Sequence, residues 1–231
     1  MEPLIDADTL LRRLDDPDLR ILDARFELQD PLIGRRAYLE GHVPGAVFVD
    51  LDEDLAAPAA EHGGRHPLPD MGAFVRTLGG RGVGDEHEVV VYDQGGTMFA
   101  ARAWWLLRFA GHERVRVLDG GYRAYREAGG PSTREDSRHR PATLSLRLRP
   151  EMIVDRGSVR AALHDPQWCI IDVRSPERYR GEIEPIDPVA GHIPSAVNRP
   201  YERTLGADGR FVEPPALAAQ FAVARGRGEV V

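Results

Sequence analysis

The sequence predicts an α/β protein of two tandem units, each a mainly parallel sheet flanked by helices, with the second unit truncated. Three observations carry that expectation. Short apolar runs alternate with helical segments, the pattern of strands joined by crossover helices. A motif is also written twice. Gly41-His42-Val43-Pro44-Gly45-Ala46-Val47 follows Ile21-Leu22-Asp23-Ala24-Arg25, and Gly191-His192-Ile193-Pro194-Ser195-Ala196-Val197 follows Ile170-Ile171-Asp172-Val173-Arg174, with five of seven motif positions identical. Asp23 and Asp172 are 149 residues apart and His42 and His192 are 150 apart, so a whole unit is duplicated. Lastly, Glu88-Val89-Val90-Val91-Tyr92-Asp93-Gln94-Gly95-Gly96 runs into a glycine loop and a helix, whereas the second copy reaches Glu229-Val230-Val231. The expected missing part is the equivalent of Tyr92 through Glu127.

Each element of the first unit has its own signal. Asp8 to Leu14 reads as a capped helix, Arg20 to Asp23 and Ala46 to Val49 as strands, and Met71 to Leu78 as a helix ended by Gly79-Gly80. Val89 to Tyr92 is apolar throughout, as in a strand covered on both faces. Thr97 to Ala110, with Trp104-Trp105-Leu106-Leu107, is apolar nearly all round and reads as a buried helix. Val115 to Leu118 and Gly121 to Glu127 add a strand and a helix. Gly129-Gly130-Pro131 closes the unit, giving a first domain over 1–131, a linker over 132–151 and a second domain over 152–231. The second domain is expected to hold a helix over Asp155 to Leu163, strands through Asp172 and near Ala196, a helix over Pro215 to Ala224, and the start of a strand.

Composition narrows the function. The net charge of −7 argues against a nucleic-acid partner, which needs a surplus of cations. The tract Arg134 to Arg149 mixes its arginines with Glu135 and Asp136 and reads as a solvated linker. All 30 basic residues are arginine, which removes Schiff-base chemistry and the phosphate-loop lysine. The single cysteine, Cys169, opens an apolar strand and reads as a buried structural thiol rather than a nucleophile. His62 and His66 have helical metal spacing, but Gly63, Gly64 and Pro67 do not hold a helix, so no metal is expected. His42 and His192, beside Pro44 and Pro194, read as turn residues. The Asp23/Arg25 and Asp172/Arg174 pairs read as structural ion pairs at strand ends. No apolar run spans a membrane and the N-terminus lacks a leader pattern, so a cytoplasmic protein is expected.

Eight fragments in order resemble the two-domain rhodanese family, the thiosulfate and 3-mercaptopyruvate sulfurtransferases. They are Leu22-Asp23-Ala24-Arg25, Tyr38 to Ala46, Gly64-Arg65-His66-Pro67-Leu68-Pro69, Val90-Val91-Tyr92-Asp93, Trp104 to Arg108, Leu118-Asp119-Gly120-Gly121-Tyr122, Arg178-Tyr179-Arg180-Gly181, and Gly191 to Asn198. The resemblance implies two rhodanese-like domains, a non-catalytic first one and a catalytic second one. The catalytic cysteine of the family opens the loop after the central strand; Asp93 fits the inactive counterpart, and the cysteine's own place falls after Val231. No catalytic residue is therefore expected within the chain. Arg178 matches the arginine that holds the anionic donor, the other reading being a solvent-exposed helix arginine. Met98 and Phe99 match the apolar wall facing the cysteine and Phe26 sits where the family often has an aromatic, with core packing the other reading for all three. The implied function is transfer of sulfane sulfur from thiosulfate or 3-mercaptopyruvate to a thiophilic acceptor, cyanide or a thiol, through a cysteine persulfide. No cofactor, nucleic acid or membrane takes part. The alternative is a non-catalytic rhodanese-like module that binds anions or a protein. An aspartyl-phosphatase reading of Val91-Tyr92-Asp93 fails because no second Asp follows two positions later.

Overall fold

A computed structural model describes residues 1–59 and 64–231, which divide into two compact units, Met1–Pro150 and Glu151–Val231. The first unit runs β1 (Leu4–Ile5), α1 (Ala7–Leu11), β2 (Leu19–Asp23), α2 (Leu32–Glu40), β3 (Ala46–Phe48), α3 (Met71–Gly80), β4 (Glu88–Tyr92), α4 (Met98–Phe109), β5 (Val115–Leu118) and α5 (Gly121–Glu127). Its five strands form one parallel sheet in the order β1-β5-β4-β2-β3. β4 is central and all five of its residues are buried, the apolar run Val89 to Tyr92 as expected of a strand covered on both faces and Glu88 through its ion pairs with Arg13 and Arg116. Asp6 and Asp70 cap α1 and α3, accepting the backbone N–H groups of Thr9 and Ala73 at 2.7 and 2.6 Å.

The structure departs from the sequence expectations in four places. α3 continues through Gly79 and Gly80 instead of stopping there. A side chain on Gly79 would lie 2.7 Å from the Ala142 carbonyl oxygen, so this glycine permits a close crossing rather than ending the helix. α4 is buried along one side only: Trp104 and Trp105 are half-buried, and the Trp104 indole N–H donates to the Val115 carbonyl at 3.2 Å. Two elements of the first unit, β1 and α2, have no counterpart in the sequence reading, and neither has the short helix Pro176–Arg180 of the second unit. α2 crosses the end of β2 at Gly34, where a Cβ would fall 1.9 Å from the Arg25 carbonyl oxygen.

The fourth departure concerns residues 132–150, expected as a solvated linker and instead held along the first unit. Thr133 and His42 exchange backbone bonds at 2.9 and 3.0 Å, Ala142 N–H donates to Gly79 at 2.9 Å, and Arg147 N–H donates to Ala110 at 2.8 Å. Ser145 donates to Asp85 from both its N–H and its hydroxyl. Leu144 is buried in the process. A run with one apolar residue covered and its backbone satisfied is a strap, although its composition is that of a linker.

The second unit contains α6 (Arg156–Ala162), β6 (Trp168–Cys169), β7 (Ile171–Asp172), α7 (Pro176–Arg180), β8 (Val197–Asn198), α8 (Pro214–Gln220) and β9 (Glu229–Val230), and a short 3-10 turn at Ala222–Ala224 completes the C-terminal helical stretch. β6 pairs in parallel with β9, and β7 with β8. The pairing repeats the first unit residue for residue. Trp168 faces Glu229 and Cys169 faces Val230, as Leu19 faces Glu88 and Arg20 faces Val89. Ile171 faces Val197 and Asp172 faces Asn198, as Leu22 faces Val47 and Asp23 faces Phe48. β6 and β7 are therefore one strand, equivalent to β2, while β8 and β9 are equivalent to β3 and β4.

Candidate functional site

In the first unit the chain leaves β2 toward β3 on one side and leaves β4 toward β5 on the other. That divergence opens a crevice beyond the carboxyl ends of β2 and β4, the usual ligand position in an open parallel sheet. Asp93 sits there, at the end of β4, and is 2% exposed. Its Oδ1 accepts the backbone N–H groups of Gly95 and Thr97 at 2.9 and 3.0 Å; its Oδ2 accepts those of Phe99 and Ala100 at 3.1 and 3.2 Å. The loop and the first turn of α4 thus form a nest of four N–H donors closed on a carboxylate. Thr97 completes the loop with a φ of 63°, a left-handed conformation that is costly for a β-branched residue. Gly121 closes the other side, where a Cβ would lie 2.6 Å from the Asp93 carbonyl oxygen.

The wall of this crevice is made at the end of β2. Asp23 is fully buried and accepts from Arg25 Nη2 at 2.6 Å and from the Tyr92 hydroxyl at 2.7 Å. Arg25 Nη2 also donates to the Gly41 carbonyl at 2.8 Å, and its guanidinium lies 4.4 Å from the centre of the Tyr122 ring. Burial, reinforced by the Asp23 charge, pushes the Tyr92 hydroxyl well above its usual pKa. Asp172 and Arg174 repeat the pair at 2.6 Å, with Arg174 Nη2 donating to Gly191 at 2.6 Å. Burial works against ionisation of Asp172, but the bonds from Arg174 outweigh it and hold the carboxyl below its usual range. The two histidines repeat as well. His42 stacks on Tyr38 at 3.8 Å and His192 on Tyr179 at 3.7 Å, each with Nδ1 2.7 Å from the same tyrosine's carbonyl oxygen.

Three of the residues singled out from the resemblance lie on the first unit. Phe26 is buried and meets the half-buried Phe99 edge-on, ring centres 5.3 Å apart, while Met98 is exposed. Phe99 also supplies one of the N–H groups to Asp93, so the pair packs at the loop. Arg178 lies in the second unit on α7, whose N-cap is Ser175. Its guanidinium is engaged: Nη2 donates to Glu184 Oε1 and Asp187 Oδ2, both at 2.8 Å. Sequence reasoning missed Glu184 and Asp187 because they stand in an irregular segment with no periodic pattern. An open cleft lined by Asp172, Arg174, Gly191 and His192 adjoins this network. Cys169 is buried on β6, as expected of a structural thiol. His66 pairs with Asp52 at 3.2 Å, and His62 lies outside the described residues.

A family model described as the rhodanese-like domain matches residues 6–128 and 155–220. A probable 3-mercaptopyruvate sulfurtransferase of Pseudomonas aeruginosa is 44% identical over 227 residues, 97% of this chain and 80% of that protein. A putative thiosulfate sulfurtransferase of Mycobacterium tuberculosis, SseB, is 40% identical over 221 residues, 88% of this chain and 72% of that protein. Among solved structures, the Escherichia coli 3-mercaptopyruvate sulfurtransferase SseA superposes with a TM-score of 0.84 at 30% identity, covering 98% of this chain and 84% of that one. With the doubled sheet register and the doubled Asp–Arg and Tyr–His pairs, these matches make the chain a two-domain member of the rhodanese family, closely related to the 3-mercaptopyruvate and thiosulfate sulfurtransferases.

Proposed function

We propose that the protein moves sulfane sulfur from thiosulfate or 3-mercaptopyruvate to cyanide or a thiol, through a cysteine persulfide on a loop that follows Val231. The observation that carries this reading is the register. Val230 pairs as Val89 does and Val231 follows in the place of Val90, so the internal repeat would put the counterpart of Asp93 three residues later. A nest of N–H donors like that around Asp93 would stabilise a thiolate and then a persulfide anion in place of a carboxylate. The thiolate attacks the outer sulfur of thiosulfate and the S–S bond breaks, sulfite leaving with the bonding pair. With mercaptopyruvate the C–S bond breaks instead, and pyruvate leaves after its enolate takes a proton. An acceptor then attacks the outer sulfur of the persulfide and frees the cysteine thiolate.

Arg178 holds the donor's anionic group in this reading, since a guanidinium offers two parallel donors to a sulfonate or carboxylate. By the same family resemblance, Met98, Phe99 and Phe26 are the apolar residues assigned to donor binding. The reaction uses no cofactor, and its setting is the cytoplasm; among the described residues no helix is long and apolar enough to cross a membrane.

The test compares the 231-residue chain with one continuing through the next loop, in thiocyanate-formation and sulfide-release assays. The expected result is activity in the longer protein only. Activity in the 231-residue chain that Cys169→Ala abolishes would move the nucleophile to β6 and overturn the assignment. A longer protein inactive with both donors would favour a binding module.

A further inference from the structure

The two units differ most sharply where the second one carries Arg178. Tyr38 precedes His42 by four residues, whereas Tyr179, its counterpart in stacking, precedes His192 by thirteen. The second unit therefore has nine extra residues between a tyrosine and a histidine that hold the same mutual geometry. The position before the tyrosine is Ala37 in the first unit and Arg178 in the second. The arginine and the insertion occur together, and the insertion supplies both carboxylates that engage the arginine.

Those carboxylates are not equivalent. Glu184 is fixed from several directions. It receives Arg178 Nε at 3.2 Å on each oxygen and Nη2 at 2.8 Å on Oε1, while Oε1 also accepts the backbone N–H groups of Ile186 and Asp187 at 3.1 Å. Its Oε2 lies 3.4 Å from Arg174 Nη1, and its side chain keeps only 5% of its exposure. Asp187 reaches the same guanidinium from outside, through Nη2 at 2.8 Å, with 42% of its side chain exposed. The local charge is already complete: Arg174 and Arg178 face Asp172, Glu184 and Asp187. An anionic donor added to that set would meet a surplus of negative charge in a half-buried place, where like charges repel strongly.

We infer that Asp187 is an internal stand-in for the donor: its carboxylate occupies the outer side of Arg178, and the donor's anionic group binds by displacing it while Glu184 keeps the guanidinium in place. This rests on the proposed role of Arg178 in donor binding. Asp187 then sets donor affinity, because the donor's anionic group takes the place of a carboxylate beside the guanidinium instead of adding to it. An arginine left open would hold any small anion of the solution, so a tethered competitor raises the threshold that a ligand must pass.

The experiment uses the protein continuing past Val231, with thiosulfate as donor and a neutral thiol as acceptor, at constant ionic strength. Asp187→Asn and Asp187→Ser are expected to raise kcat/KM for thiosulfate about three- to tenfold, a competitor of about 0.7 to 1.4 kcal/mol having been removed. kcat/KM for the thiol should stay unchanged. Glu182→Gln removes the same charge from a carboxylate that pairs with Arg180 instead, and should leave both values as they were. Arg178→Ala separates the two levels of the argument. If it leaves thiosulfate kinetics unchanged, the role of Arg178 falls and this inference with it. If it lowers kcat/KM for thiosulfate while both Asp187 variants fail to raise it, only the stand-in is overturned. Thermal melts of both Asp187 variants accompany the kinetics, and a loss of folding in both would also overturn it, making Asp187 a structural anchor.

Discussion

Asp23 and Asp172 make the same contacts at different depths, which makes them a natural pair for weighing burial against geometry. Asp23 has no exposed side-chain surface and Arg25 keeps 5%, whereas Asp172 and Arg174 keep 12% and 27%. Removing one partner of a buried pair leaves the other charge uncompensated and costs about 3–5 kcal/mol. Asp23→Asn keeps the shape but strips the charge beside Arg25, so a loss of that order is expected in the unfolding of the first unit. Asp172→Asn should cost clearly less, because water reaches Arg174 and Glu184 remains beside it. Urea unfolding of both variants measures the contrast. Equal losses would mean that burial does not govern these pairs. Their structural role was legible from two repeats of an Asp-x-Arg triplet, but the Tyr92 hydroxyl on Asp23 was not, since only the sheet brings residues 69 apart together.

At the scale of elements, legibility followed local signals. Helices with a capping carboxylate at Asp6, Asp70 and Asp155 follow a rule that is read within four residues, whereas α7, capped by Ser175 but only five residues long, is absent from the sequence reading. α2 offers no such signal: Pro31 makes no side-chain cap, Leu32, Ile33 and Leu39 are exposed, and the buried positions are Gly34 and Tyr38. β1 is two residues long and exists because β5 pairs with it from far along the chain. The same distance dependence gives β4 its acid sensitivity. Glu88 opens that strand, 5% exposed, and bridges Arg13, at 2.9 Å, and Arg116. Burial opposes its ionisation, but the bonds from Arg13 and Arg116 prevail and hold its pKa below the ordinary 4.5. A carboxyl with a depressed folded pKa gives stability that is present above pH 4.5 and lost as pH falls through the folded value. Melting the protein and Glu88→Gln between pH 6 and pH 3 should therefore show the variant less stable at the upper end and the difference closing toward the lower. A difference that held constant over that range would remove Glu88 from the acid response.

Across the whole molecule, the same strand register is built into cores of very different depth. The first unit buries large side chains from nearly every element, among them Leu10, Leu22, Leu78, Tyr92, Leu106, Leu107, Leu118 and Tyr125. In the second, the buried apolar residues among those described are Ala162, Cys169, Ile170, Ala196 and Pro200. Its strands reproduce β4, β2 and β3, but no strand among the described residues takes the places of β1 and β5. A parallel sheet depends on having both faces covered, and a few short strands with little apolar area are marginal in water. Opening of the second unit should consequently cost less than opening of the first. Native-state hydrogen exchange on the 231-residue chain tests this directly, because each amide reports the free energy of the opening that exposes it. The N–H groups of Ala24 and Val89, bonded within the first unit, should exchange at least about tenfold more slowly than those of Ile171, Val197 and Val231, a gap of about 1.4 kcal/mol. In the protein continuing past Val231 the second set should slow, since the added strands and helices would cover the face now exposed. Equal protection of the two sets in the 231-residue chain would show that the shallow core suffices, and that the strand register contributes more than burial does.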